Sequence, residues 1–307
     1  MTLLVVTPGR DSGPLVKAIH AQDPTLPVRV WPDVGPADDI RFAVLWQQPR
    51  GLLAQLPDLL AVSSLGAGVE HVLNDPDLPP ELPVGRLAGT QLAADMAAYV
   101  VAQVLWHWRR LGDFQQLQRQ GQWQPWAPER APHVGLLGIG AMGTATSRAL
   151  QALEIPVRAF GQTGRGPDSV PVESGADGLA RLAGWSDYLV CLLPLTGATR
   201  GLLSADLFSR MRPGSVLINV GRGEHLVEAD LLEALDQDRP TAAILDVFSH
   251  EPLPSDHPFW THPKVHVTPH CASITGDREA AALIVESYRR VLDGHPPLGL
   301  VDRPKGY

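Results

Sequence analysis

The sequence predicts an α/β fold of two doubly wound parallel-sheet domains. Three observations carry this prediction. Short apolar runs alternate with helical segments along most of the chain. The runs, among them LLVV (3–6), FAVL (42–45) and VLINV (216–220), are continuous rather than alternating, as strands buried on both faces of a parallel sheet must be. The series occurs twice, with a long helical stretch and a proline-rich segment between the two.

The first series opens with a strand at TLLVVTPG (2–9) and a helix from Leu15. VRVW (28–31) and RFAVLW (41–46) are strands, GLLAQLP (51–57) is a short helix, and LLAVSSLGAG (59–68) is a buried strand ending in a glycine turn. One long helix is predicted over 90–120, where Ala98, Val101, Ala102, Leu105 and Trp108 recur at helical spacing. QPWAPERAPH (124–133), with three prolines in ten residues, is the expected linker or hinge. The second series runs through HVGLLG (133–138), VRAF (157–160), DYLVCLLP (187–194), SVLINV (215–220), AAILDVF (242–248) and VHVTPH (265–270). Ile284, Tyr288, Val291 and Leu292 mark a final helix. That helix and the tail are expected to return to the first unit. The expected domains are therefore 1–100 with 277–307, and 101–276, with the functional site in the cleft between them.

Composition narrows the function classes. The 307 residues suffice for two domains with sizeable cores, and 44% hydrophobic against 19% charged residues marks a globular chain. A net charge of −8 argues against nucleic-acid or membrane-surface binding, so an anionic ligand would need local amides or single arginines. Cys191 and Cys271 make no C-x-x-C motif, which implies neither a disulfide framework nor a thiolate zinc site and suits a reducing cytoplasm. The apolar start lacks the basic flank of a signal peptide, and no run approaches the length of a membrane span.

HVGLLGIGAMGTATSRAL contains Gly138-x-Gly140-x-x-Gly143 directly after an apolar strand and at the opening of a helix. That context makes the pattern a dinucleotide-binding, Rossmann-type loop. Gly138 permits the tight turn, Gly140 lets backbone approach the pyrophosphate, and Gly143 lets helix pack on strand. The phosphates would sit at the helix N-terminus. Cofactor choice is read at the end of the next strand, where an NAD site expects an acid for the ribose 2′-OH. Here the position falls near Gly161, followed by Gln162, Thr163 and Arg165, and no acid comes before Asp168. The missing carboxylate and the nearby arginine favour NADP, with NAD also accommodated.

Three downstream segments lie at the C-terminal ends of predicted strands, the edge where open parallel sheets bind ligands. INVGRGEHLVEADLL (218–232) places Arg222 between two glycines, and a guanidinium matches a carboxylate bidentately, although Arg222 could instead cap a turn or pair with Glu224. DVFSHEPLP (246–254) carries Glu251, and HVTPHCASIT (266–275) carries His270. The adjacent His250 looks like the natural partner of Glu251. Neighbours on extended chain point opposite ways, however, so Glu251 is expected to serve His270 and turn His250 away.

With these residues assembled, the chain resembles the D-isomer-specific 2-hydroxyacid dehydrogenase family, and most closely its glyoxylate/hydroxypyruvate reductase branch. The resemblance rests on SLGAGVEHVL (64–73), GIGAMG (138–143), LLPLTGATRG (192–201), INVGRGEHLVEADLL, LDVFSHEPLP (245–254) and TPHCASIT (268–275). VLWHWRRLGDFQQL (104–117) and the terminal VDRPKGY resemble that branch in particular.

The resemblance implies NAD(P)H-dependent reduction of small 2-oxo acids, glyoxylate and hydroxypyruvate, in a cytoplasmic homodimer. It makes His270 the general acid, and gives Glu251 the task of fixing the tautomer of His270 and favouring its protonated form. Arg222 would hold the substrate and stabilise charge on its oxygen. The amides of Ala67 and Gly68 would bind the substrate carboxylate. Trp46 would limit substrate size, unless it is a core aromatic. Around the cofactor the resemblance places Ile139, Ala141, Met142, Leu193, Pro194, Thr199, Val220, Gly221, Ala272 and Ser273 beside the three glycines and the loop at 162–165, with Asp246 near the nicotinamide carboxamide. Gly221 stands where many relatives carry alanine, with little effect expected, and GTQLAADM (89–96) departs from the commoner methionine-rich loop.

Three other readings compete. A phosphoglycerate-type dehydrogenase is disfavoured because no regulatory domain follows residue 307. A formate-dehydrogenase-like enzyme is disfavoured because that branch carries glutamine at the place of Glu251. A cofactor-sensing binding protein on the same fold is disfavoured by the retention of Arg222, Glu251 and His270.

Overall fold

The computed structural model describes all 307 residues. They divide into two units, Met1–Leu92 with Ile274–Tyr307, and Ala93–Ser273.

The first unit holds five parallel strands: β1 (Thr2–Val6), β2 (Val28–Val30), β3 (Ile40–Leu45), β4 (Ala61–Ser64) and β5 (Val84–Arg86), in the order β2-β1-β3-β4-β5. One face is covered by helices Gly13–Gln22 and Asp277–Leu292, whose Leu15, Ile19, Ile284 and Tyr288 bury against Leu3, Val5 and Phe42. The C-terminal helix thus belongs to this unit, and the tail follows it, with the Val301 amide donating to the Val84 carbonyl at 2.8 Å. The sequence pattern gives no sign of β5, because VGR is too short to show a period. Between 51 and 57 only a single 3₁₀ turn forms, Leu53–Gln55.

The second unit holds seven parallel strands: β6 (Val134–Leu137), β7 (Val157–Phe160), β8 (Val172–Glu173), β9 (Tyr188–Cys191), β10 (Val216–Asn219), β11 (Ala242–Leu245) and β12 (Val265–Val267). Their order, β12-β11-β10-β9-β6-β7-β8, reverses direction between β9 and β6. In such sheets the ligand crevice opens at the carboxyl ends of the strands flanking that switch point. Helices cover both faces, with two buried clusters on either side of the sheet.

Two expectations need correction. The predicted helix over 90–120 is two helices, Thr90–Trp108 and Leu111–Arg119, broken where Arg110 takes a left-handed conformation at φ 54. Arginine and leucine favour helix, so local preference gives no warning of the break. The first of these helices lies mostly in the second unit because Met96, Val100 and Val104 pack with Val134, Leu136 and Val190. The proline-rich stretch 124–133, expected as the hinge, lies inside the second unit. Arg130 makes a bidentate bond to Asp187 at 2.7 and 2.9 Å, and Asp187 also takes the His133 amide at 2.8 Å. The chain passes between the units at 92–93 and at 273–274 instead.

Candidate active site

The glycine loop lies between β6 and the helix Ala141–Gln151. Gly138 is at φ +109, and a Cβ there would sit 2.9 Å from the Leu192 carbonyl, so only glycine closes this turn. A Cβ on Gly143 would drive into the Gly138 carbonyl oxygen. Gly140 is different: a Cβ would meet nothing within 4 Å. Two of the three glycines are therefore required by the chain itself, and Gly140 leaves open space beside the first turn of the helix, as a cradle for pyrophosphate needs. Gly143→Ala is expected to lower thermal stability, whereas Gly140→Val should leave the melting midpoint near wild type and weaken NADPH binding at least tenfold, measured by fluorescence titration. Equal affinity in Gly140→Val would rule the loop out as the phosphate cradle.

At the end of β7, Gly161 leads into an exposed turn carrying Gln162, Thr163 and Arg165. Arg165 makes no ion pair with a carboxylate, and the carboxylate of Glu173, on the neighbouring strand, is held by Arg181 at 2.7 Å. No acid stands at the tip of β7. On the other side of the switch point, β9 runs into Leu193 and Pro194. Thr199 fastens this turn by donating to the Pro194 carbonyl at 2.7 Å and accepting from the Thr196 amide at 2.8 Å.

β10 leads through Val220 and Gly221 to Arg222. Asn219, fully buried, donates to the Arg222 carbonyl at 3.0 Å and accepts from the Gly221 amide at 3.2 Å. His225, also fully buried, accepts the Arg222 amide on Nδ1 at 3.0 Å, which leaves Nε2–H to donate to the Pro194 carbonyl at 3.2 Å. Burial pushes the His225 imidazole down, although the carbonyls of Pro194 and Arg222 oppose this, so it remains neutral. Gly221 has little spare room, since a Cβ would stand 3.0 Å from His225 Nδ1. The Arg222 guanidinium turns back to its own neighbour, Nη1 donating to the Gly221 carbonyl at 2.7 Å. Glu224, the alternative partner, faces Arg200 at 3.9 Å. Neither Asn219 nor His225 stands out in the sequence, because each acts only on the backbone of its neighbours.

Glu251 and His270 meet. His270 Nδ1 is 2.7 Å from Glu251 Oε2, while Glu251 Oε1 accepts the Phe248 amide at 3.0 Å. Burial pushes the Glu251 carboxyl up. The bonds from His270 and Phe248, with the charges of His270 and Arg222, outweigh it and hold the group below the usual carboxylate range. Arg222, Glu251 and His270 thus share one electrostatic neighbourhood. Each member of the Glu251–His270 pair leaves 36% of its side chain exposed, so the pair is open to a reactant from outside. His250 points elsewhere: it is exposed, with Nδ1 3.4 Å from the Pro252 carbonyl. Asp246 is 1% exposed, and both of its oxygens accept from its own chain. The Cys271 amide bonds Oδ1 at 3.0 Å and the buried Ala272 amide bonds Oδ2 at 2.9 Å, with Ser273 next in the chain.

In the first unit, β4 ends in the turn of Gly66, Ala67 and Gly68. Ser64 Oγ gathers that turn, donating to the Gly68 carbonyl at 2.6 Å and accepting from the Gly66 amide at 3.2 Å. The amides of Ala67 and Gly68 donate to no group of the chain. Trp46, at the end of β3, is partly buried, lies 5.3 Å from the His71 ring, and would contact a Cβ on Gly66.

Residues 101–272 match the family model described as D-isomer specific 2-hydroxyacid dehydrogenase, NAD binding domain. The chain belongs to this family. As a 2-hydroxyacid dehydrogenase it is similar to glyoxylate/hydroxypyruvate reductase A of Yersinia enterocolitica, at 36% identity with 100% of each chain covered. Among solved structures, it is similar to a family member from Xanthobacter autotrophicus Py2 in complex with NADPH and MES. That likeness has a TM-score of 0.94 and 36% identity, covering 100% of this chain and 99% of that one. It is also similar to an NADPH-dependent glyoxylate/hydroxypyruvate reductase from Sinorhizobium meliloti in complex with NADP and sulfate, with a TM-score of 0.92 and 33% identity over 100% of both chains.

Proposed function

We propose that this dehydrogenase reduces glyoxylate and hydroxypyruvate, to glycolate and D-glycerate, with NADPH preferred and NADH accepted. The observation that carries the reading is the Glu251–His270 bond at the strand edge next to Arg222, in the same unit as the open Gly140 loop. Gly138, Ile139, Gly140, Ala141, Met142 and Gly143 would hold the pyrophosphate, and Gln162, Thr163 and Arg165 the 2′-phosphate. Leu193, Pro194, Thr199, Val220, Gly221, Asp246, Ala272 and Ser273 would line the rest of the cofactor site. NADPH, when bound, supplies the hydride.

The chain's own residues do the remaining work. Glu251 occupies His270 Nδ1 and so directs Nε2 toward a reactant; the proton held there passes to the carbonyl oxygen. Arg222 offers a guanidinium to the substrate and to charge growing on that oxygen. The unpaired amides of Ala67 and Gly68 take the carboxylate, and Trp46 limits the size of the substituent on the carbonyl carbon. Two free thiols support a cytoplasmic setting.

We assign the assembled form as a homodimer built on the segment 106–126. None of the residues of helix Leu111–Arg119 is buried, and Trp106, Leu111, Trp123 and Trp126 are exposed by 38%, 42%, 94% and 40%. A stable interface takes about 800 Å² from each partner. Trp123, almost fully exposed, can add about 150–250 Å² of this, and the exposed parts of Trp106, Leu111 and Trp126 extend the patch.

The test follows NADPH and NADH oxidation at 340 nm with glyoxylate, hydroxypyruvate, pyruvate and bulkier 2-oxo acids, beside sedimentation at the assay concentration. NADPH preference, turnover of the two- and three-carbon acids and the mass of two chains are expected. Equal use of NADH would refute the cofactor reading at Gly161 and Arg165. NADPH binding without oxidation would mark a cofactor sensor.

A further inference from the structure

The loop bearing His270 is tied to a helix by a chain of hydroxyl groups. His270 is at φ 51, a left-handed conformation that residues other than glycine seldom adopt and that persists only where surrounding groups fix it. Its amide lies 2.8 Å from the Asp246 carbonyl and 3.1 Å from the Thr268 carbonyl. On either side of it in the chain, the Thr268 hydroxyl and the amides of Cys271 and Ala272 all donate to the Asp246 carboxylate. Behind Thr268 stands Tyr99, with Oη 2.6 Å from Thr268 Oγ1.

Counting hydrogens fixes the direction of this chain. A hydroxyl has one proton and a carboxylate anion only accepts, so Thr268 donates to Asp246 and Tyr99 must donate to Thr268. Burial pushes the Tyr99 hydroxyl up to about 12, so it keeps its proton at neutral pH. Tyr99 rides on the helix Thr90–Trp108, which Val100 and Val104 anchor in the core behind the sheet.

We infer that Tyr99 and Thr268 are positioning residues: donation from Tyr99 to Thr268 to Asp246 fixes the loop 268–273 and with it the left-handed backbone of His270. The inference rests on the proposed role of His270 as acid. Without the Thr268 hydroxyl, Asp246 Oδ1 keeps only the Cys271 amide as a close donor and Tyr99 loses its acceptor. The loop is then free to relax toward ordinary backbone, carrying the imidazole away from its working position.

The test compares Thr268→Val, Thr268→Ser and Tyr99→Phe in the full chain. Thr268→Val is expected to lower kcat for glyoxylate by about 10- to 100-fold, the scale set by a misplaced reacting group, with the KM for glyoxylate near wild type. Thr268→Ser, which restores the hydroxyl, should recover the rate, and Tyr99→Phe should fall between. Amide hydrogen exchange at 270–272 gives a readout independent of turnover: faster in Thr268→Val and Tyr99→Phe, native in Thr268→Ser. Wild-type kcat or unchanged exchange in Thr268→Val overturns the inference, as does failure of serine to restore either. If the wild type reduces no 2-oxo acid, the proposed function falls, and exchange alone decides the relay.

Discussion

His270→Ala is expected to lower kcat for glyoxylate reduction by about 10³-fold, within the range that general acid catalysis supplies, while NADPH binds as before. Hydride arrival leaves an alkoxide unless a proton comes with it, and in the proposed reaction the imidazole bonded to Glu251 provides that proton. Steady-state rates with cofactor titration check this, and full activity in the variant would remove His270 from the mechanism. His250 is exposed and faces the Pro252 carbonyl, so His250→Ala should keep the wild-type rate. Glu251→Gln should lower kcat, because the carboxylate that holds His270 Nδ1 is gone. The same carboxylate links stability to pH. Its folded-state pKa is depressed, so its contribution is fully present above the pKa of the unfolded chain, about 4.3, and disappears as pH falls through the folded value. The melting difference between wild type and Glu251→Gln is thus expected at neutral pH and should close in acid.

Gly223→Ala is expected to cost about 3 kcal/mol, the upper part of the usual range for overpacking, and to depress the melting midpoint by several degrees. A Cβ on Gly223 would run into the backbone of Phe248 and Ser249, which cannot swing aside as a side-chain tip can. The contact matters for chemistry as well. Gly223 follows Arg222, and the Phe248 amide holds Glu251. Prising these two segments apart separates the guanidinium from the carboxylate it influences, so kcat should fall along with stability. Calorimetry and initial rates on one preparation test both; an unchanged midpoint would mean that the two backbones have room to spare.

Much of this architecture is legible in the sequence, for identifiable reasons. The long apolar strands of both sheets announce themselves because they are buried on both faces. β5 and β8 do not, being three and two residues long. The helix break at Arg110 follows no propensity rule, and the proline-rich stretch looks like a hinge only until Asp187 is seen clamping its end. At the candidate site, Glu251 and His270 can be paired in advance because both fall at strand ends on one sheet edge. Asn219, His225 and Tyr99 escape notice because they bond to backbone or to a hydroxyl, partners with no signature in residue type, and Thr268 because its carboxylate partner lies 22 residues away in the chain.

The return of the C-terminal helix to the first unit also sets an order of events at the ribosome. Leu3, Val5 and Phe42 are made before the inserted unit, yet Ile284 and Tyr288, which cover them, are made after it. The whole of Ala93–Ser273 is synthesised in between. Since domains generally fold as units during synthesis, the inserted unit has its complete core first. The first sheet, although translated earlier, waits with one face covered only by Gly13–Gln22 until Asp277–Leu292 has been made.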